Sequence, residues 1–512
     1  MKRAFWLETV LPCVGLFAVC LVVRMILECG FVMGDDMAVV AISDVQSTSF
    51  HWIREQVNLR FGVWAPYILS FRIFGDGELG FFVPSWVVSS SFASVAYLLL
   101  RRWGYSLAGA LFGGLFVGLS PFEVLIGSSM ANDIFLAAAF VYAFLVWQYR
   151  DEVPKLAGVL IGVLLWFGFF NKAWVIYVFP FLGLEFLRDS FRGRRLGFWV
   201  CFVVVSIVLH AAAAWSYMRQ LGDPFPLLKL LPAHYPVPLT ELRRVLLLYP
   251  NQILFGEPDK QTTLFGIVPY VFLIAFAAAL VLRGPRAVLL RDRASLELLI
   301  MSVGIFLLIN FVPNYYSLTE YHSAPRIFRY LTPISFFLSL YAAKLLLDLA
   351  PRVPAVVAAL CATALLAANV AGALRATAPG RQNRRIVQDI VATVAAHCPP
   401  ELVIDAWQGW FFQRLYLKHT CPKTVVRGIS VRWLNDEVAE QAFHDAEAHV
   451  PEGSMLVTGF GSYVYYPCLA CRIDLDTMKT PMSKQWELVR DIGQVTFRPD
   501  PLDVKVWRWR AS

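Results

Sequence analysis

Long apolar stretches alternate with short polar segments over the first 375 residues of the chain. Three of the stretches become spans only if a charged residue near one end reaches the interface; these residues are Arg24, Glu185 and Lys344. A helix needs roughly 20 residues to cross the hydrocarbon core, so the pattern predicts a polytopic α-helical membrane protein with about 11 transmembrane helices. The predicted spans are Thr9–Leu27, Leu79–Leu100, Trp103–Pro121, Ile134–Tyr149, Leu156–Asn171, Ala173–Leu187, Leu196–Met218, Gln261–Leu282, Leu298–Thr319, Leu331–Leu349 and Val353–Leu374.

From Pro379 onwards the pattern changes to short strand-like and helix-like segments. Their alternation is typical of an α/β domain. We therefore predict a transmembrane domain over residues 1–376 and an α/β domain over residues 377–512. The predicted strands are Glu401–Ala406, Thr424–Gly428, Met455–Thr458 and Val504–Arg510, and the predicted helices are Arg381–Ala396, Trp407–Lys418 and Asn435–His449.

The distribution of basic residues predicts the topology. Lysines and arginines cluster between alternate spans, and such clusters lie on the cytoplasmic side. With an odd number of spans, the loops 29–78 and 219–260 and the C-terminal domain then lie outside. We expect a multi-pass protein of a bacterial inner membrane or a plasma membrane. Because no small-x-small cleavage site follows the first apolar run, we interpret that run as a retained anchor.

Composition narrows the class of protein. The chain is 58% hydrophobic and 16% charged, with a mean hydropathy of +0.58, which excludes a large soluble core. Its net charge of +8 is explained by the cytoplasmic loops. Because no zinc-finger spacing, recognition helix or RNP motif is present, nucleic-acid binding is excluded as the function. Cys398, Cys421, Cys468 and Cys471 follow the last span; they form two disulfides in any of three pairings, or stay reduced.

Two adjacent acids, Asp35 and Asp36, open the first outer loop just after the first span. Carboxylates at a membrane face are costly unless they bind, pair or catalyse. One of them can act as a general base that takes the proton from an attacking hydroxyl. Alternatively, both stabilise the first turn of an interfacial helix through the helix dipole.

Five further charged residues complete the candidate site. Asp133 starts a span on the outer side, where it is either a further catalytic acid or a helix cap. Arg326 and Arg329 share one helical face, where guanidinium groups either capture a phosphate or contact lipid head groups. Lys172 is a further candidate for phosphate binding, unless it merely caps its turn. Arg54, in the first outer loop, is the fourth candidate cation.

These features, in their order along the chain, resemble the GT-C glycosyltransferases, and in particular the protein O-mannosyltransferase and lipid A aminoarabinose-transferase-like group. The resemblance covers roughly residues 5–350. Where the family more commonly has Asp-Glu, this chain has Asp-Asp, which leaves open which acid is the base. The similar motifs are Gly34-Asp35-Asp36, Ser70 to Leu79, Leu119-Ser120-Pro121, Asn132-Asp133 and Phe328-Arg329-Tyr330-Leu331-Thr332-Pro333.

The resemblance implies an inverting enzyme that transfers a hexose or pentose from a polyprenyl-phosphate donor on the outer membrane face. The acceptor would be a lipid, a glycan or a protein. Asp35 or Asp36 would deprotonate the acceptor hydroxyl, while Arg326, Arg329 or Lys172 would offset charge on the leaving phosphate. No cofactor is certain, and a requirement for a divalent metal stays open. The C-terminal domain matches no motif of the family, so its role also stays open, with acceptor binding as one hypothesis.

A transporter or flippase for a lipid-linked sugar is the alternative from another functional class. Inverted repeats and broken helices that meet at mid-bilayer would indicate transport. The two halves of the chain show no such repeat, and the candidate charges gather at one membrane face. This asymmetry favours an enzyme that works at an interface. A non-catalytic assembly scaffold is a third hypothesis.

Overall fold

The computed structural model describes most of the chain. The described residues are 6–30, 34–54, 58–75, 77–227, 236–237, 242–256, 264–286, 288, 292–311, 315–316, 321–322, 331–405, 409, 412–429, 436–460, 482–495 and 502–510. Contacts between Cα atoms divide the chain into two compact units. The first unit comprises Met1–Leu27, Ile42–Leu69 and Val83–Ala376, and the second comprises Glu28–Ala41, Ser70–Phe82 and Thr377–Ser512. The predicted division at residue 376 stays a prediction.

Most of the described residues are helical. The α-helices, in chain order, are α1 Leu11–Ile26, α2 Gly34–Thr48, α3 Phe61–Phe74, α4 Glu78–Arg102, α5 Leu107–Gly118, α6 Pro121–Gly127, α7 Asp133–Trp147, α8 Pro154–Asn171, α9 Phe179–Phe191, α10 Leu196–Leu221, α11 Leu242–Leu254, α12 Val268–Arg283, α13 Arg293–Leu299, α14 Ile305–Phe311, α15 Thr332–Leu349, α16 Ala355–His397, α17 Lys418–Thr420 and α18 Asp436–Glu447. Short 3₁₀ or π segments are Trp6–Val10, Ala173–Val178, Ile300–Gly304, Ala350–Arg352 and Phe412–Leu417.

Over the described residues, seven helices are long and apolar enough to cross a membrane. An eighth span results if α5 and α6, which meet at a bend of 58°, are counted as one. Pro121 is the first residue of α6, and Ser120 before it has an extended backbone. A proline is tolerated in the first turn of a helix, and it disfavours helical geometry in the residue before it, which favours a break at this point. Each predicted span overlaps a described helix, but several of these helices are shorter than 18 residues. The polytopic helical class is confirmed, while the count of 11 stays a prediction.

The expectation that Arg24 extends to the interface was wrong. Its side chain is fully buried. Its guanidinium donates to Oγ of Ser89 at 2.7 Å and to the carbonyl oxygens of Cys20 and Gly118 at 3.1 and 3.0 Å. A Cβ atom at Gly127 would lie 2.8 Å from Nε of Arg24, so the glycine makes room for the group. Because oxygens inside the bundle satisfy the guanidinium, burial replaces the predicted extension.

Lys344 also differs from the expectation. It is buried, and its ammonium pairs with Asp292 and, at 3.0 Å, with Asp348. Glu185 accepts a hydrogen bond at 3.2 Å from Arg293. Lys344 and Glu185 therefore each form an ion pair with a residue at the start of α13, Asp292 and Arg293 respectively.

The described strands are β1 Pro236–Val237, β2 Tyr315–Tyr316, β3 Tyr321–His322, β4 Glu401–Asp405, β5 Val425–Ile429, β6 Met455–Thr458, β7 Trp486–Val495 and β8 Leu502–Trp509. The C-terminal region contains a five-stranded sheet, one strand more than the four that were predicted. Its strand order is β5-β4-β6-β8-β7, with β4 parallel to β5 and β6 and with the other pairs antiparallel. Val403, Phe443, Leu456, Trp486 and Trp509 belong to its buried core. A second sheet, of order β1-β3-β2, lies in the first unit.

Two elements of this region differ from the prediction. The segment Arg381–Ala396 is not a separate helix but the C-terminal part of α16, which continues through Pro379. Strand β7 was not predicted, because its sequence is rich in charged residues and includes Gly493, next to a register shift. As an edge strand it does not need the apolar alternation of a buried strand.

Candidate active site

The acid pair lies at the start of α2. This helix begins at Gly34, so Asp35 and Asp36 occupy its first turn. The side chains of both acids lie outside the described residues. A carboxylate in the first turn interacts favourably with the helix dipole, so this position is compatible with both interpretations of the pair. Their catalytic role stays a prediction.

Asp133 and Lys172 are brought into contact. Nζ of Lys172 donates to Oδ1 of Asp133 at 2.6 Å. Asp133 is the first residue of α7, and Lys172 directly follows α8 with extended backbone angles of φ −158° and ψ 131°. The two side chains are 3% and 13% exposed, so water screens their attraction only weakly. Two predicted site residues, 39 positions apart, therefore form one buried charge pair.

Aromatic packing also holds the lysine. Nζ of Lys172 lies 4.9 Å from the centroid of the Trp174 ring, within the range of a cation–π interaction. Trp174 is buried in the 3₁₀ segment that follows. The lysine is thus fixed by a carboxylate and a ring, and this arrangement holds the ammonium in one position.

Asn171 fixes the ends of three helices around this pair. Its Nδ2 donates to the carbonyl oxygens of Asn132 at 3.0 Å and of Gly62 at 3.2 Å. A Cβ atom at Gly62 would lie 2.7 Å from the backbone nitrogen of Asn171, so only glycine allows α3 to approach α8 this closely. Sequence reasoning missed Asn171. The sequence feature that could have indicated Asn171 is its position: it is a polar amide residue at the end of an apolar span, directly before Lys172.

Arg54 lies in the segment between α2 and α3, and it contacts the end of α10. Its Nη2 donates to the carbonyl oxygen of Leu221 at 2.7 Å, while the side chain remains exposed. Nearby, the indole of Trp52 donates to Oγ of Ser216 at 2.8 Å, and its ring centroid lies 4.7 Å from that of Tyr217. Contacts of Arg54 and Trp52 with α10 therefore hold this segment, and the guanidinium of Arg54 is exposed.

Arg326 and Arg329 lie outside the described residues. The described backbone just before them is β3, which pairs with β1 at His322–Pro236 and with β2 at His322–Tyr315. The described backbone just after them starts α15 at Thr332. Their proposed contact with phosphate stays a prediction.

A metal site finds no support among the described side chains, where no group of three His, Cys, Asp or Glu residues could hold an ion. His51 uses its Nδ1 for a contact of 2.9 Å with the carbonyl oxygen of Ser49. The side chains of Asp35, Asp36, His234 and His322 lie outside this search. The question of a divalent metal therefore stays open.

Comparison with solved structures identifies the fold. The structure matches ArnT from Cupriavidus metallidurans bound to undecaprenyl phosphate with a TM-score of 0.56 and 16% identity, over 96% of this chain and 97% of that one. The apo state of the same protein matches with a TM-score of 0.55 and 16% identity, over 99% and 98%. An oligosaccharyltransferase from Archaeoglobus fulgidus matches with a TM-score of 0.50 and 11% identity, over 89% and 70%.

No protein-family model matches the chain, and a search of curated proteins found no match. The structural neighbours are GT-C glycosyltransferases, and the chain has their fold, as the sequence motifs predicted. At 16% identity or less, the likeness defines the architecture only. The chemistry must be argued from the residues of this chain.

Proposed function

We propose that the protein is an integral-membrane glycosyltransferase that transfers a sugar, with inversion, from a polyprenyl-phosphate donor to a lipid, glycan or protein acceptor on the extracytoplasmic face. The observation that supports this most strongly is the fold shared, over 96% of the chain, with ArnT bound to undecaprenyl phosphate. The buried Asp133–Lys172 pair supports it independently, since charges are kept inside a membrane protein mainly where they have a function.

In the proposed reaction, Asp35 or Asp36 takes the proton of the acceptor hydroxyl as its oxygen attacks the anomeric carbon. The bond between that carbon and the donor phosphate breaks, and its electron pair leaves with the polyprenyl phosphate. A single displacement from the opposite face inverts the anomeric configuration. The ionised carboxylate of Asp35 or Asp36 thus accepts the proton, and the reaction needs no oxidant or reductant.

The leaving phosphate gains negative charge as the bond breaks, and fixed cations stabilise it in the transition state. We assign this role to Arg326, Arg329 and Lys172, with Arg54 at the surface of the outer loop. Asp133 would orient Lys172, because the 2.6 Å hydrogen bond and the Trp174 ring fix the position of its ammonium. A preorganised cation needs little rearrangement during the reaction.

The disulfide between Cys398 and Cys421 supports the outer location of the C-terminal domain. Disulfides form and persist in oxidising compartments such as the bacterial periplasm. The sequence left three pairings open, and this bond selects one partner for each of these two cysteines. A reporter enzyme fused after Arg375 tests the orientation. We expect it to behave as an exported protein, and cytoplasmic behaviour would overturn the topology.

The direct test is transfer by the purified full chain. The protein is incubated with a panel of undecaprenyl-phosphate sugars and with lipid, glycan and peptide acceptors, and the products are analysed by mass spectrometry. We expect a glycosylated acceptor and free undecaprenyl phosphate in equal amounts. Movement of intact donor across proteoliposome membranes, without glycosylated product, would support the transporter alternative instead.

A further inference from the structure

The segment Glu28–Gly30 leads from the first span towards the helix with the acid pair. The backbone of α2 begins at Gly34, only four positions after Gly30. Glu28 is 8% exposed and Cys29 is fully buried. Glu28–Gly30 and the start of α2 belong to one continuous stretch of the second unit, Glu28–Ala41. We therefore expect contacts that hold Glu28–Gly30 to influence the position of the start of α2.

One face of the C-terminal part of α16 contacts the segment Glu28–Gly30. Sγ of Cys29 donates to the carbonyl oxygen of Thr377 at 3.7 Å. A Cβ atom at Gly380 would lie 2.5 Å from Cβ of Cys29, so this close approach depends on a glycine. At Gly30, with φ +70°, an added Cβ would lie 3.4 Å from Cβ of Arg384. The three positions on α16 are spaced by three and four residues and thus share one face.

Arg384 adds charge pairing to this packing. Its Nη1 pairs with Oε2 of Glu28, and its Nη2 lies 3.8 Å from Oε2 of Glu78, the first residue of α4. The hydroxyl of Tyr416 donates to Oε1 of Glu78 at 2.9 Å. All four residues belong to the second unit. Arg384 therefore connects the segment before α2 with the start of α4 and, through Glu78, with the C-terminal region.

The Glu28–Arg384 pair changes its charge near neutral pH. Burial raises the pKa of Glu28 to about 7, with a smaller contribution in the same direction from Glu78, while Arg384 opposes the shift. Burial, and then the charge of Glu78, raises the pKa of Tyr416 well above its ordinary value, so its hydroxyl remains a donor. Above pH 7 Glu28 is ionised and pairs with the guanidinium. Below pH 7 it becomes neutral and the pair weakens.

We propose that Arg384 is a positioning residue for the acid pair: by pairing with Glu28 it holds the segment Glu28–Gly30, and so keeps the first turn of α2 in the geometry that sugar transfer requires. The proposal rests on the proposed function of Asp35 and Asp36. A catalytic group displaced by about 1 Å can cost on the order of 100-fold in rate. Loss of the anchor is therefore expected to lower kcat rather than donor affinity.

The activity test compares variants of the purified full chain. We expect Arg384→Gln to lower kcat for transfer from the active undecaprenyl-phosphate sugar by roughly 10- to 100-fold, with KM for that donor nearly unchanged. Arg384→Lys keeps the charge and should recover part of kcat. The matched control is Arg490→Gln. Arg490, in β7, pairs at 3.0 Å with Asp389, which lies on α16 like Arg384. Both side chains of this pair are about half exposed, so Arg490→Gln should keep wild-type kcat.

The pH profile gives a readout that a purely structural role would not change. In the wild type, kcat should fall as pH falls through 7, because protonation of Glu28 releases Arg384. In Glu28→Gln, which resembles the protonated state, kcat should be low and flat between pH 6 and pH 8. Within the described part of the chain, the other titratable groups that interact with Glu28 are Glu78 and Tyr416. Tyr416→Phe should preserve the fall in kcat near pH 7. A profile for Glu28→Gln that matches the wild type would overturn the proposal.

A chemical readout is independent of transfer. Alkylation by N-ethylmaleimide is followed at each cysteine by peptide mass spectrometry, with Cys20, which is buried in the first span, as the internal reference. Arg384→Gln should accelerate alkylation of Cys29 by roughly tenfold or more, the factor that corresponds to the loss of one hydrogen bond to a charged group. It should leave the alkylation rate of Cys20 unchanged. If Arg384→Gln does not fold, Arg384→Lys and Glu28→Gln provide the same comparison.

The outcomes separate the two proposals. If the wild type transfers sugar and Arg384→Gln keeps wild-type kcat, the positioning role is wrong, even if Cys29 becomes reactive. If the wild type transfers from no donor in the panel, the proposed function fails, and Cys29 reactivity then reports only whether Arg384 anchors the segment. A fall in kcat together with faster Cys29 alkylation supports the positioning role.

Discussion

The ammonium of Lys172 lies 2.6 Å from Oδ1 of Asp133, where the end of α8 meets the start of α7. This buried pair joins a candidate catalytic acid with a lysine that is a candidate for phosphate binding. Removing one partner of a buried ion pair costs about 3–5 kcal/mol. The pair therefore makes separable predictions for stability and for transfer.

Asp133→Asn and Lys172→Met should each destabilise the protein by about 3 kcal/mol, because each removes one charge of a buried ion pair. The double variant should be more stable than either single variant, since it removes both charges of the pair. Transfer should stay low in all three, because the fixed ammonium is lost or misplaced. Thermal unfolding in detergent and the transfer assay measure the two effects.

Lys155→Met is the control for the Asp133–Lys172 cycle, because it removes an exposed lysine from the first turn of α8. It should leave both stability and transfer unchanged. Single variants at Asp133 and Lys172 that unfold at the wild-type temperature would show that the pair contributes no net stability. Full transfer by Lys172→Met would remove this lysine from the proposed phosphate site.

At the start of α2, Asp35→Asn or Asp36→Asn should reduce transfer by at least about 10²-fold, the lower range for loss of general base catalysis. Expression and folding should be unaffected, since an amide replaces a carboxyl of nearly equal size. Asp44→Asn is the matched control, because Asp44 is the third acid of the same helix. Initial rates at saturating acceptor measure the effect. Wild-type rates in both variants would leave capping as the explanation of the acid pair.

Arg326→Ala and Arg329→Ala should each weaken binding of undecaprenyl phosphate by roughly 10- to 100-fold, because a hydrogen bond to a charged group contributes about 1.5–3 kcal/mol. Binding of undecaprenyl phosphate to the detergent-solubilised protein provides the measurement. Arg352→Ala serves as control, since Arg352 is exposed on the predicted cytoplasmic side. Unchanged affinity in either variant would assign that arginine to contacts with lipid head groups.

Features that depend on local sequence were predicted well. The apolar stretches gave the helices of the bundle, and strand β6, Met455–Thr458, has the predicted bounds. Such elements follow from hydrophobic periodicity over a few turns, which a single sequence contains. Strand β7 was not predicted because it lacks this periodicity: it lies at the edge of the sheet and contains several charged residues.

Features that depend on distant contacts were not predicted. Arg24 is buried because Ser89 and the carbonyl of Gly118 supply oxygens. These groups are 65 and 94 positions away in sequence, and their proximity follows from helix packing alone. The contact between Asp133 and Lys172 is of the same kind. The sequence placed both residues on the outer side, but only the packing of α7 against α8 brings them together.

The last prediction concerns the disulfide between Cys398 and Cys421, which closes a loop with a sequence separation of 23. Loop closure of this length stabilises by about 3 kcal/mol, mainly by restricting the unfolded chain. Cys421→Ser should therefore lower the melting temperature of the C-terminal region by roughly 10 °C. Temperature-dependent proteolysis of the full chain, with cleavage mapped within residues 377–512, provides the measurement.

Cys398→Ser should lower the melting temperature by the same amount, and the double variant should lower it no further, because the first substitution already removes the bond. Cys361→Ser is the control, since Cys361 is a free, exposed cysteine of α16. If Cys398 and Cys421 both react with maleimide in protein isolated without reductant, the bond does not form in the cell, and the support that it gives to an extracytoplasmic C-terminal domain is lost.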